Sequence, residues 1–257
     1  DALARAQSLA ERALLNQGVT FSVYSDQRGT EKIFPVCMLP RLVSGEEWER
    51  LERGLVQRVK ALELFLDDVY GAQRILKEKA VPPELVLGAK GFEPKLVGVR
   101  PPGGVRMHVA GIDLIRDGQG TFRILEDNIR CPSGVSYVLE NRLLSKRILP
   151  DALDRARVQR VDLYPSKLAA ALRSVSPEDP DRSTVVVLTP GPFNSAYFEH
   201  SFLARTMGLE LVQAPDLYVE GDEVFLKTTR GPRRVHVIYR RTAIDEHGGE
   251  SVIAEEY

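Results

Sequence analysis

At 257 residues, with 43% hydrophobic and 28% charged side chains, the chain has an ordinary globular make-up and room for one large or two small domains. Lys and Arg (35) balance Asp and Glu (36), so no global field marks nucleic acid or an anionic membrane surface as a partner. Apolar runs such as Val185–Leu188 are far shorter than a bilayer span, and Cys37 and Cys131 form neither a disulfide framework nor a metal-ligand spacing. No basic-then-apolar leader opens the sequence at Asp1-Ala2-Leu3-Ala4-Arg5, and a reducing cytoplasm is the expected setting.

Ala2 to Gln17 is predicted helical and closed by Gly18, and Thr20–Tyr24 and Lys32–Val36 read as short strands about a turn at Asp26–Gly29. Ser44-Gly45-Glu46-Glu47 is a capping box, with Ser44 accepting from first-turn amides and Glu47 reaching back. After it Trp48, Leu51, Leu55, Val59, Leu62, Leu66 and Val69 recur at spacings of three and four. That pattern predicts a long packing helix with one buried stripe. Val81-Pro82-Pro83 interrupts the next helical pattern, and Arg100 to Gly104 is a Pro/Gly loop.

Strands Val105–Arg116 and Thr121–Asn128 follow, joined by Asp117-Gly118-Gln119-Gly120 as a hairpin. Ser136–Arg147 is predicted helical. A second unit begins near Val161, with helix Ser166–Ser174, strand Thr184–Leu188, the turn Thr189-Pro190-Gly191-Pro192, helix Ser195–Met207 and strand Leu209–Gln213. With strand Val235–Tyr239 these make a βαβ-like pattern of doubly wound type. Between them Leu217–Val219 and Val224–Lys227 flank Glu220-Gly221-Asp222 and read as a second hairpin. The class is α/β (α+β), divided as 1–160 and 161–257.

The first hairpin carries the chemistry. Side chains alternate along a strand, so Glu126 and Asn128 share one face and Asp127 points to the other. With the even loop Asp117–Gly120, Asp113 joins that face, opposite Ile124 and diagonal to Glu126, while Gly111 lies opposite Glu126 and leaves space beside it. An odd loop reverses the placement of Asp113. Two carboxylates and an amide oxygen suit Mg²⁺, a hard cation with oxygen ligands. By themselves, three such residues also fit a solvent-facing hairpin with scattered acids.

The wording around them is more specific. His108-Val109-Ala110-Gly111-Ile112-Asp113-Leu114, then Ile124-Leu125-Glu126-Asp127-Asn128-Ile129-Arg130-Cys131-Pro132-Ser133-Gly134, resembles the circularly permuted ATP-grasp family. Further matching blocks include Gly18-Val19-Thr20-Phe21, Glu140-Asn141-Arg142, Thr189-Pro190-Gly191, Asn194-Ser195-Ala196-Tyr197-Phe198-Glu199-His200 and Tyr239-Arg240-Arg241, so the resemblance covers nearly the whole chain. It is more distantly similar to glutathionylspermidine synthetase.

The resemblance implies an ATP-grasp-like antiparallel sheet with packed helices, followed by a smaller Rossmann-like pre-ATP-grasp substrate unit. It implies an ATP- and Mg-dependent carboxylate–amine ligase working through an acyl phosphate on small-molecule or peptide acids and amines. Asp113, Glu126 and Asn128 would hold the magnesium. Relatives with the glutathione-synthetase-like pattern carry an Arg where this chain has Gly111, and Arg130 or Arg106 is the candidate to replace its charge. The family's nucleotide-clamping lysine segment has no counterpart before Tyr257, so a fragment is expected, inactive when alone. A catalytically inactive binding or scaffold module is the rival reading, and a metal phosphohydrolase a third.

Among the remaining residues, Asn194 and Ser195 start a helix whose free amides attract carboxylate or phosphate, as candidate acceptor-substrate contacts alongside simple capping. Arg240 is a candidate substrate ligand at a strand's C-terminal end, and Arg241 a candidate for that role or for a salt bridge. Glu199 and His200, adjacent on a helix, do not form a dyad. A local hydrogen bond or a surface position is expected for His200. His108, Cys131 and Arg142 read as structural.

Overall fold

The computed structural model describes residues 2–23, 30–244 and 250–251. The turn expected at Asp26–Gly29 lies outside them. The chain divides into two compact units, Asp1–Pro40 with Ser133–Tyr257, and Arg41–Pro132. This division does not follow the sequence boundary near Val161.

The first unit opens with α1 (Ala2–Gln17), which ends at Gly18 in the left-handed region (φ 64°), where a side chain would be strained. Strands β1 (Thr20–Val23) and β2 (Thr30–Ile33) pair antiparallel. Ala6, Ala10 and Leu14 of α1, spaced by four, bury against Val19, Met38, Tyr137 and Leu144. The Phe34 and Tyr137 rings stack at 3.9 Å between centroids.

The Arg41–Pro132 unit is built on α2 (Gly45–Val69). Ser44 caps it by accepting from the Glu47 amide at 3.2 Å. The other half of the expected box is replaced: the Glu47 carboxylate accepts from Arg116 at 2.7 Å. Of the predicted stripe only Val69 is buried, and Trp48 is 53% exposed. Short helices α3 (Arg74–Lys77) and α4 (Pro83–Leu87) follow. The hairpin strands are β3 (Gly111–Arg116) and β4 (Phe122–Asn128). The first begins six residues later than expected. The Glu63 carboxylate takes the Arg106 and Met107 amides at 2.6 and 3.0 Å, which removes them from any ladder.

Back in the first unit, α5 (Val135–Ile148), α6 (Pro150–Ala156) and α7 (Tyr164–Ser174) precede β5 (Val185–Leu188), a fully buried strand. Helix α8 (Tyr197–Met207) crosses over to β6 (Glu210–Val212), which runs parallel to β5. A parallel pair needs such a crossover, and the buried Val-rich run fits a strand covered on both faces. The hairpin β7 (Leu217–Glu220) and β8 (Glu223–Leu226) turns at Gly221-Asp222, with Gly221 at φ 62°; Glu220, expected in the turn, pairs instead with Glu223.

The strand predicted over Val235–Tyr239 is two strands. β9 (Arg233–Val235) pairs antiparallel with β8, and β10 (Val237–Arg240) pairs parallel with β5. The switch falls at His236, whose amide donates to the Thr184 carbonyl while its ring Nδ1 accepts from the Thr184 amide. That exchange ties the chain to the foot of β5. Two-residue strands β11 (Ala243–Ile244) and β12 (Glu250–Ser251) close the order.

Candidate functional site

The hairpin sets its face by an irregularity. Its turn is a three-residue loop: the Gly120 amide donates to the Asp117 carbonyl, the Asp117 amide to the Thr121 carbonyl, and Gly120 sits at φ 80°. The Asp117 carboxylate accepts from the Gln119 and Thr121 amides and from Arg123, which together hold it below its ordinary range, Arg123 most. The loop is therefore odd, not even. Arg116 pairs with Phe122, Ile115 with Arg123 and Leu114 with Ile124. Continued unbroken, this ladder would pair Asp113 with Leu125 and turn Glu126 toward the face of Ile124.

Instead the register shifts by one residue between Asp113 and Leu114. Asp113 pairs directly with Glu126, Ile112 with Asp127 and Gly111 with Asn128. Leu125 is the extra residue, 63% exposed. The bulge cancels the odd loop. The α2 side of the ribbon is marked by Asp127, held by Arg58 through two hydrogen bonds of 2.7 and 2.5 Å, and by Arg116 on Glu47. The Arg58 guanidinium keeps the Asp127 carboxyl below its usual value. By alternation Asp113, Glu126 and Asn128 stand together on the opposite face, all exposed. The sequence expectation of a shared face is met by a different register, with Asp113 opposite Glu126 rather than Ile124.

Two carboxylates placed directly across an antiparallel pair have Cβ atoms about 5 Å apart and repel. Asp117 and Asp127 on the same hairpin each have an arginine, whereas Asp113 and Glu126 are in no ion pair among the described residues. The Asn128 amide nitrogen donates to Glu126 Oε1 at 3.1 Å, which leaves the amide oxygen for another partner. An all-oxygen donor set of this kind fits a magnesium ion. Among the described residues no group of three or more His, Cys, Asp or Glu that could hold a metal ion is found.

Gly111 is not beside open space. A Cβ there would lie 2.7 Å from Pro132 Cβ and 3.6 Å from Asn128 Cβ, so the position has no room for a larger side chain. Arg106 is committed elsewhere, to the Val99 carbonyl at 3.0 Å and the Asp67 carboxylate at 3.6 Å. Arg130 is exposed just beyond β4.

In the other unit, Asn194 is buried, and its Oδ1 accepts from the Ala196 amide at 2.9 Å at the start of α8. Ser195 is half-buried beside it, and Arg240 is exposed at the end of β10. Sequence reasoning missed the buried knot behind them. Glu199 Oε2 accepts from the Gly134 amide (2.7 Å), the Ser136 amide (3.0 Å) and the Ser136 hydroxyl (2.8 Å). Its Oε1 meets the Arg241 guanidinium at 3.2 Å, with both side chains fully buried. Arg241 is thus in a salt bridge, one of the two roles its place at the end of the strand suggests.

His200 is buried rather than at the surface, and its Nδ1 shares a 2.8 Å hydrogen bond with the Thr189 hydroxyl. Burial, aided by nearby Arg241, depresses its pKa to about 3. The unfolded chain therefore binds a proton below pH about 6.5 that the folded chain refuses until about 3. This contribution to stability is present above pH 6.5 and is lost toward pH 3 at up to about 1.4 kcal/mol per pH unit. Urea midpoints at pH 7, 5.5 and 4 should fall more steeply for the native chain than for His200→Gln. Parallel slopes would contradict the assignment.

The chain matches the family described as circularly permuted ATP-grasp type 2 over residues 40–248, and it belongs to that family. An uncharacterized protein of Mycobacterium tuberculosis is 54% identical to it over 238 residues, covering 93% of this chain and 42% of that protein. An uncharacterized protein of Synechocystis is 51% identical over 232 residues, covering 90% and 48%. A Frankia alni protein, provisionally named a glutamate–cysteine ligase, is 41% identical over 234 residues, covering 90% and 27%. The chain thus spans less than half the length of these relatives. A solved structure, the apo form of a glutathione synthetase-like effector from Globodera pallida, aligns with TM-score 0.54 at 12% identity, over 93% of this chain and 57% of that one. That likeness is one of fold. No helix among the described residues is long and apolar enough to cross a membrane.

Proposed function

We propose that the protein is an ATP- and magnesium-dependent ligase that joins a carboxylate to an amine. The observation that carries this reading is the unneutralised Asp113–Glu126 pair, held beside Asn128 by the Leu125 bulge. Family membership supports the reaction class, and the ligase name of the Frankia relative points the same way.

In the reaction, a substrate carboxylate oxygen attacks the γ-phosphorus of ATP, ADP leaves, and an acyl phosphate forms. The amine then attacks the acyl carbon, phosphate leaves, and an amide remains after loss of a proton. Bound magnesium would screen charge on the transferring phosphoryl group. Asp113, Glu126 and Asn128 hold it, and Arg130 supplies positive charge near the transition state in place of the residue that Gly111 excludes. Asn194, Ser195 and Arg240 hold the acid or amine, in a substrate unit of Rossmann-like type running from residue 161.

The closed position at Gly111 favours a second reading, a fold retained for binding without catalysis. The full-length protein separates the two. ATP hydrolysis that needs Mg²⁺ and rises with an added amine supports the ligase; ATP hydrolysis absent with every amine and acid supplied removes it. Amine-independent hydrolysis at full rate would instead mark a phosphohydrolase.

A further inference from the structure

Two registers are open to the β3–β4 hairpin, and only one of them serves a cation. In the observed register Leu125 bulges, and Asp113, Glu126 and Asn128 share the face away from α2. In the plain ladder that the odd loop would otherwise continue, Asp113 pairs with Leu125. Glu126 and Asn128 then turn toward α2, and Asp127 turns outward. The two differ by a slip of one residue, and the bulged form also sets two like charges, Asp113 and Glu126, directly across from each other. A two-stranded hairpin has little stability of its own with which to hold the less regular form.

Both ends of the ribbon are tied to α2, but the ties fix different things. At the turn end Arg116 meets Glu47 at 2.7 Å. The ladder from Arg116 to Leu114 is common to both registers, so this pair does not choose between them. At the open end the Arg58 Nε and Nη2 donate to the two carboxylate oxygens of Asp127 at 2.7 and 2.5 Å. Asp127 lies beyond the bulge, between Glu126 and Asn128, and its side chain is 17% exposed. In the plain ladder Asp127 points away from α2 and this grip is lost.

We infer that Arg58 is a positioning residue for magnesium binding: by holding Asp127 on the α2 side it selects the bulged register, which presents Asp113, Glu126 and Asn128 on one face. The inference rests on the magnesium reading of that face.

Thermal unfolding of the full-length protein over a range of Mg²⁺ concentrations, without ATP, measures the affinity. Arg58→Gln should weaken Mg²⁺ binding at least about tenfold, the low end for losing a residue that orients a metal's ligands. The sign is informative, because a mere loss of positive charge near the site would tighten cation binding. Arg116→Gln removes the same charge from the α2 side without touching the choice of register, and should not weaken binding. Arg58→Asp combined with Asp127→Arg restores the pair and should recover most of the lost affinity. Deleting Leu125 removes the competing register, so in that background Arg58→Gln should no longer weaken binding. Unchanged or tighter binding by Arg58→Gln, an equal loss with and without Leu125, or no recovery in the exchanged pair would overturn the positioning role alone. A native protein with no response to Mg²⁺ would overturn the magnesium reading along with it.

Discussion

Glu199→Ala is expected to lower the folding stability by about 3–5 kcal/mol, the range for removing one partner of a buried ion pair. The side chain is fully buried and serves four donors: two amides, one hydroxyl and one guanidinium. Its loss removes the buried carboxylate that meets the Arg241 guanidinium at 3.2 Å. It also releases the Gly134 and Ser136 amides at the start of α5, where the glycine sits at φ 106° with no side-chain cap of its own. Glu199→Gln keeps the shape but removes the charge and should cost less than the alanine. Arg241→Ala should cost a similar amount, and the double variant distinctly less than the sum, because both single changes remove the same buried contact. Urea unfolding of the native protein and the four variants reads this directly. Additive losses would show that the pair does not act as a unit.

That knot explains which parts of the molecule could be read from residues in order. Ser44 before an apolar repeat, Gly18 and Gly208 after helices, and Gly221-Asp222 between strands are local rules, satisfied by neighbours in sequence. Glu199 draws its partners from 42 to 65 residues away, so nothing beside it announced that it was buried. The late start of β3 has the same cause: Glu63 reaches 43 residues on to take two amides that alternation assigned to the strand. His236 reads as an ordinary strand residue, and only the amide and carbonyl of Thr184 make it the point where one sheet is exchanged for another.

The hairpin face of Asp113 shows a subtler failure. An even loop predicts the shared face of Asp113, Glu126 and Asn128, and the loop is odd. A loop-parity argument assumes an unbroken ladder, and the extra residue at Leu125 breaks it in the one direction that restores the face. Leu125 leaves no local trace, since an exposed leucine in a strand is common. The family wording located the residues, whereas the physics of alternation, applied with the wrong loop, reached the same face through two errors that cancelled.

Asp113→Asn is therefore expected to act with opposite signs in two conditions. Without divalent cation the hairpin carries two facing carboxylates, and removing one charge should stabilise the full-length protein slightly, by a few tenths to about 1 kcal/mol. With millimolar Mg²⁺ the native protein gains stability in proportion to site occupancy, while the variant gains little. Mg-dependent ATP turnover, where the ligase reading holds, should fall by at least about 100-fold, since the charge that positions the ion is halved. Deletion of Leu125 gives the complementary result. With the bulge removed, Ile124 and Glu126 become neighbours in a plain ladder, Asp113 still faces Glu126, and the response to Mg²⁺ should survive. Had the hairpin been regular and its loop even, the same deletion would swing Glu126 and Asn128 under α2 and erase that response. Thermal unfolding with and without Mg²⁺ thus tests both the ion and the register, with no need to know the substrate.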